Sequence, residues 1–209
     1  MTSPLEFRAA AALFDMDGTL IDSRAVVEAL WQQFCRKYDV DPEALLAFAH
    51  GRRTQQTMER FLPQQSADER DTVAVDFERR EIATMDGIVE IPGARALLET
   101  IAVPWAVVTS APRELAVRRM AAAGLPVPEV LVPADEITHG KPAPDGYLRA
   151  ADLLRVDASD CVVLEDADPG VRAGLAAGAR VVVVGDLQSD ATAGLTRVPD
   201  LTAITVRPR

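Results

Sequence analysis

Residues 12–22 read ALFDMDGTLID, an apolar run broken by Asp15 and Asp17 and followed by Gly18, Thr19 and a third acid, Asp22. Asp15 and Asp17 are two positions apart, so in an extended chain both side chains leave on the same face. Like charges crowded at a strand end are unfavourable unless a proton or a cation holds them. A site made only of oxygens favours Mg²⁺, whereas zinc would recruit histidine or cysteine. Taken alone, the same residues also read as a solvated Asp-Gly turn.

Working outward, short apolar or β-branched runs recur at Ala10–Phe14, Trp105–Thr109, Val130–Val132, Cys161–Leu164 and Val181–Val184, each bounded by turn residues. Buried parallel strands read this way. Helical patterns alternate with the later runs: Pro112–Ala123 closing at Gly124, Pro144–Val156 with spaced leucines, and Pro169–Ala177 stopping at Gly178. The alternation predicts an α/β fold, a parallel sheet wrapped by helices, with ligands at the carboxyl ends of the strands.

Between the first and second of these runs lie residues with helical period and no convincing strand pattern. Ser23 reads as the cap of a helix whose Val27, Leu30, Trp31 and Phe34 share a face. Asp41-Pro42 starts another, and Ser66 with Glu69 forms a capping box. Residues 22–90 are therefore expected to form a helical insertion, with 1–21 and 91–209 making the sheet domain and Gly87–Gly93 leading back to it.

The other strand ends carry matching chemistry. Ser110 follows the second run and offers a hydroxyl, with the next backbone N–H at Ala111, to an anion at a helix start; Thr109 or Ser110 reads equally as the cap of the helix at Pro112. HGKPAPDGY places Lys141 in a proline-braced loop. The chain has twenty arginines but only two lysines, Lys37 and Lys141, so a compact ammonium here is read as selected for chemistry. VVLEDADPG supplies Glu165 and Asp166, a second acidic pair that could also cap a helix. Carboxylates, hydroxyl, ammonium and carboxylates at four strand ends make a phosphoryl-transfer site.

DMDGT, VVTS, GKPAPDGY and LEDADPGVRAG, in that order and spacing, resemble the four signature motifs of the haloacid dehalogenase superfamily, and the insertion after the first resembles its helical-cap phosphatases. AFAHGRRT and PWAVVTSA resemble the branch acting on sugar, polyol and glycerol phosphates. The resemblance implies a Rossmann-like core and an aspartyl-phosphate mechanism. By it Asp15 is the nucleophile, and Asp17 the acid that protonates the leaving alkoxide and then activates water. Ser110 and Lys141 hold the phosphoryl oxygens. Asp15, Asp166 and the Asp17 carbonyl bind Mg²⁺, with Glu165 nearby. In the cap, His50, Gly51 and Arg53 are the residues expected to reach substrate, with Arg52 as the second choice. Two positions depart from the pattern: Ala167 stands where serine is common, and Asp168 adds a third acid.

Thirty-two acidic residues against twenty-two basic give a net charge of −10, which disfavours nucleic acid and anionic membranes as partners. No apolar stretch is long enough to span a bilayer, and the N-terminus lacks the charged start of a secretion signal. Cys35 and Cys161 read as buried thiols. The expectation is a cytoplasmic enzyme acting on a small phosphorylated metabolite, with a monomer plausible. A phosphomutase of the same cap class is the alternative. A dehalogenase would not need an acid at Asp17, and a phosphonate-cleaving enzyme would need a cap lysine, for which Lys37 is the sole candidate. A phospho-receiver domain would lack the helical insertion.

Overall fold

A computed structural model describes residues 5–202 and 204–209; the first four residues of the expected sheet domain lie outside this range. The chain opens with β1 (Leu5–Arg8) and β2 (Ala11–Phe14), then β3 (Ile21–Asp22) and four helices, α1 (Arg24–Tyr38), α2 (Pro42–Ala49), α3 (Thr54–Phe61) and α4 (Ala67–Ala83). It returns through β4 (Val89–Glu90), α5 (Ala94–Thr100), β5 (Trp105–Val108), α6 (Arg113–Ala122), β6 (Val130–Val132), α7 (Asp145–Leu154), β7 (Cys161–Glu165), α8 (Asp168–Ala176), β8 (Arg180–Val184), β9 (Thr196–Val198) and β10 (Ile204–Arg207).

The main sheet runs β6-β5-β2-β7-β8-β9, and every ladder in it is parallel. Strand β2 is central and fully buried, which is why its residues are apolar without alternation. Its side chains still divide by parity. Ala12 and Phe14 join Val107, Leu164 and Val182 on one face, while Ala11 and Leu13 join Val108, Val163 and Val183 on the other. The chain order departs in opposite directions on the two sides of β2, so the crevice beyond its carboxyl end is a topological switch point. Asp15 stands there.

All five runs expected to be strands lie in this sheet. Three further pairings were not legible: β9 at one edge, the parallel pair β1·β10, and the two-residue antiparallel ribbon β3·β4, which pairs Ile21 with Glu90 and Asp22 with Val89. The ribbon closes the insertion's two connections side by side. Between them α1–α4 bury their own cluster, including Leu30, Trp31, Phe34, Leu45, Met58 and Phe77, with Trp31 stacked on Phe77 at 3.9 Å between centroids.

Most helix ends follow the local signals. Asp41 accepts from the Glu43 and Ala44 amides, and Ser66 and Glu69 form the reciprocal box. Gly124 and Gly178 take the left-handed conformation beyond α6 and α8. Helix α7 ends earlier than expected, because Arg155 adopts φ 58°. Ser23 does not cap α1; its hydroxyl turns instead to Asp17, while Asp22 accepts from the Arg24 amide. Thr109 and Ser110 do not cap α6 either. The Arg113 amide donates to Asp135, from the segment after β6. Cys35 and Cys161 are buried free thiols, and no described helix is long and apolar enough to cross a membrane.

Candidate active site

Asp15 leaves the end of β2 and Glu165 ends β7, the strand hydrogen-bonded beside it. Lys141, 4% exposed, reaches between them. Its Nζ donates to Asp15 Oδ1 and, at 2.6 Å, to Glu165 Oε1. Glu165 also accepts from the Tyr147 hydroxyl at 3.2 Å, and its Oε2 from the Ala167 amide at 2.9 Å. With both oxygens engaged, Glu165 is a clamp for Lys141 and for the turn into α8. Gly170 makes room for it, since a Cβ there would fall 1.4 Å from Oε1.

Asp166 Oδ1 accepts from Thr19, and a Cβ on Gly18, which sits at φ +90°, would strike its Oδ2 at 2.0 Å. The DGT turn is thereby shaped to admit a carboxylate from another strand. Asp15, Glu165 and Asp166 each place a carboxylate oxygen within 4.8 Å of the others. Two buried carboxylates and the half-buried Asp166 against one ammonium leave an excess of negative charge. Burial, and then the neighbouring Glu165, push Asp166 up to about 8. Burial also raises Asp15, against the pull of Lys141. Burial opposes the Lys141 charge, but Asp15 and Glu165 outweigh it and hold the ammonium well above its ordinary range. An oxygen-only, electron-rich cluster of this kind fits a small hard divalent cation. Asp168 stands outside the cluster, paired with Arg172 at 2.7 Å.

A cavity opens above Asp15. Asp17, Ser110, Ala111 and Asp166 line its floor, and Arg24, Val27, Trp31, His50, Gly51, Arg52 and Thr54 come from the inserted helices. Ser110 Oγ donates to the Gly51 carbonyl at 2.9 Å, so the insertion is seated on the strand ends. The Ala111 amide, offered above for an anion, donates to Thr109 Oγ1 at 3.0 Å. Arg52 lies along the cavity with its guanidinium 4.5 Å from the Phe48 ring centroid. Arg53 turns away: Nη2 donates to the Ile137 carbonyl at 2.9 Å and Nη1 to that of Thr138 at 3.3 Å, on the segment leading to Lys141. His50 faces Glu28 at 3.7 Å, and burial followed by Arg24 lowers its pKa. Lys37 is exposed on α1 with its ammonium over Tyr38, so it is no candidate for a Schiff base in this cavity.

Sequence reasoning missed a second charged group in the same cavity. Arg119 of α6, 4% exposed, donates through Nη1 to Asp17 Oδ1 at 3.0 Å and through Nη2 to Glu81 Oε1 of α4 at 2.7 Å. Ser23 Oγ donates to the same Asp17 oxygen at 2.6 Å. Nothing in the local pattern marks Arg119 or Glu81 apart from other helical charges.

The model of the haloacid dehalogenase-like hydrolase family matches residues 9–195. Hexitol phosphatase A of Escherichia coli (strain K12) is 43% identical over 178 residues, covering 82% of this chain and 81% of that one. The 2-deoxyglucose-6-phosphate phosphatase 1 of Saccharomyces cerevisiae is 36% identical over 199 residues, covering 85% and 80%. Among solved structures, a β-phosphoglucomutase from Clostridium difficile superposes with a TM-score of 0.82 over 92% of each chain at 20% identity, a likeness of fold. The match over most of the chain, together with the geometry of the strand-end carboxylates and lysine, shows that this protein belongs to the haloacid dehalogenase-like hydrolase family.

Proposed function

We propose that the chain is a Mg²⁺-dependent phosphatase of small sugar or polyol phosphates. The observation that carries this is Asp15, held by Lys141 at the switch point of the sheet, beneath a cavity that also contains Asp17. Its relatives include phosphatases named for a hexitol and for 2-deoxyglucose 6-phosphate. The cavity suits such leaving groups, with Val27 and Trp31 as an apolar wall and Arg24, Arg52 and Thr54 to meet hydroxyls.

In this reading an Asp15 carboxylate oxygen attacks phosphorus as the bond to the leaving oxygen breaks. Asp17 supplies the proton that leaves with the alcohol. Asp17, now ionised, takes a proton from water, and that water cleaves the aspartyl-phosphate to release phosphate and restore Asp15. Lys141 balances the phosphoryl charge, and the Ser110 hydroxyl, rotated off the Gly51 carbonyl, orients one of its oxygens. Mg²⁺, held by Asp15, Asp166 and the Asp17 carbonyl, would neutralise charge on the transferring group. Glu165, saturated by Lys141, Tyr147 and the Ala167 amide, supports these groups from behind.

The test is phosphate release from a panel of hexitol, hexose, deoxyhexose and glycerol phosphates, with Mg²⁺ and with EDTA. Turnover of at least one of these in Mg²⁺, abolished by EDTA, is expected. Undiminished turnover without metal would sink the reading, and conversion of a sugar 1-phosphate to its 6-phosphate without net phosphate release would assign a mutase instead.

A further inference from the structure

We infer that Arg119 is a positioning residue for Asp17, and that Glu81 makes this positioning depend on the seated insertion. The inference rests on the reading of Asp17 as the acid. Asp17 leaves a turn and is 29% exposed at its side chain, so its own packing does not fix its carboxylate. Two donors converge on Oδ1, Ser23 Oγ at 2.6 Å and Arg119 Nη1 at 3.0 Å, while Oδ2 accepts no hydrogen bond among the described residues. One oxygen is pinned and the other is left for proton transfer.

Arg119 is in turn held from the far side. Its second terminal nitrogen donates to Glu81, which α4 brings from the insertion, and both side chains of that pair are almost fully buried. The remaining nitrogen, Nε, is buried without a partner, so the guanidinium is placed by its two carboxylates alone. The planar guanidinium suits this place because it presents its two terminal nitrogens in a fixed fork, one to each carboxylate, where an ammonium would offer a single nitrogen. Each terminal nitrogen of Arg119 is committed to a carboxylate. The residue acts through Asp17. A helix of the insertion, a helix of the sheet domain and the loop after β2 therefore meet at one cation, and removing Glu81 frees that cation to shift.

The prediction is a loss that grows with leaving-group basicity. The ratio kcat/KM reports the step in which Asp15 is phosphorylated, where an alkoxide needs the proton of Asp17 and 4-nitrophenolate does not. Arg119→Met should lower kcat/KM about 100-fold for a hexitol phosphate, the scale of a mispositioned group, and less than about threefold for 4-nitrophenyl phosphate. Glu81→Gln, whose amide oxygen still accepts from Nη2, should show the same pattern with a smaller loss. The double variant should be no worse than Arg119→Met, because the two residues act as a unit. If Arg119→Met does not fold, Arg119→Lys and Glu81→Gln, with their double variant, carry the same comparison. Equal losses on both substrates, or losses that multiply in the double variant, overturn the inference. Asp17→Asn separates this from the parent reading. If that variant shows no leaving-group dependence, the acid assignment fails; if it does and Arg119→Met does not, only the role of Arg119 fails.

Discussion

Two buried ionic groups face the same cavity, and they are built differently. Asp15, Lys141, Glu165 and Asp166 belong wholly to the sheet domain, brought together by the register of β2 against β7 and by the loop before α7. Asp17, Arg119 and Glu81 straddle the seam between sheet and insertion. In the proposed reading the first group meets the phosphoryl end, which every phosphomonoester shares, and its ion pairs involve no residue of the insertion. The second is complete only with α4 in place, and in the same reading it holds the acid that serves the leaving group. On that reading, one polypeptide separates the chemistry common to all substrates from the control that responds to a particular one.

The strongest attempt to break this comparison is Asp15→Asn. It should lower kcat by about 10⁴ or more on every substrate, alkyl or aryl, since it removes the proposed nucleophile with little change of volume. Retention of a tenth of the activity on any substrate would show that the phosphoryl end is not served by the sheet domain alone.

Stability against pH tells the two groups apart without turnover. Burial pushes Asp166 up to about 8 and Glu81 up to about 7, both above ordinary carboxyl values. The folded protein therefore binds more protons than the unfolded chain across this window, and metal-free stability should fall as pH rises from about 4 through 8. Mg²⁺ requires ionised carboxylates, so it should bind at least about tenfold more tightly at pH 8 than at pH 6 and remove the Asp166 part of the decline. The Glu81 part should remain. Thermal unfolding at several pH values, with and without Mg²⁺, measures both; a Mg²⁺ stabilisation that is flat with pH would contradict the assignment of the cluster.

The two neighbouring arginines sharpen the division. Arg52→Ala should lower kcat/KM about tenfold, or about 1.4 kcal/mol, for a hexitol phosphate and leave 4-nitrophenyl phosphate nearly unchanged, because Arg52 lies along the cavity. Arg53→Ala should affect both substrates alike, since Arg53 grips the Ile137 and Thr138 carbonyls ahead of Lys141. A substrate-selective loss at Arg53 would return it to the role expected from its sequence. The smallest effect is at Ser23. Ser23→Ala removes one hydrogen bond to Asp17, worth about 1 kcal/mol, and should lower kcat/KM for the alkyl substrate roughly fivefold.

The sheet and the gathering of Asp15, Lys141, Glu165 and Asp166 at its strand ends were legible in the sequence because their signals are local. Apolar runs ending in Asp15, Ser110 and Glu165 mark buried strands whose carboxyl ends converge once the strands are parallel, and that convergence follows from the fold class. Lys141 stood out by composition. Asp41 and the Ser66/Glu69 box announced their helices because a cap is satisfied within a few residues. What the sequence could not decide is what each polar side chain does when a distant partner competes for it. Ser23 looks like a cap and becomes a donor to Asp17. Arg53 looks like a substrate ligand and becomes a strap. Arg119 and Glu81, separated by 38 residues and lying on helices of different units, look like surface charges and become a buried pair. Hydrophobic period and capping are properties of a short segment, whereas the choice of ionic partner depends on which segments the folded chain brings within about 3 Å, and only the tertiary structure determines that.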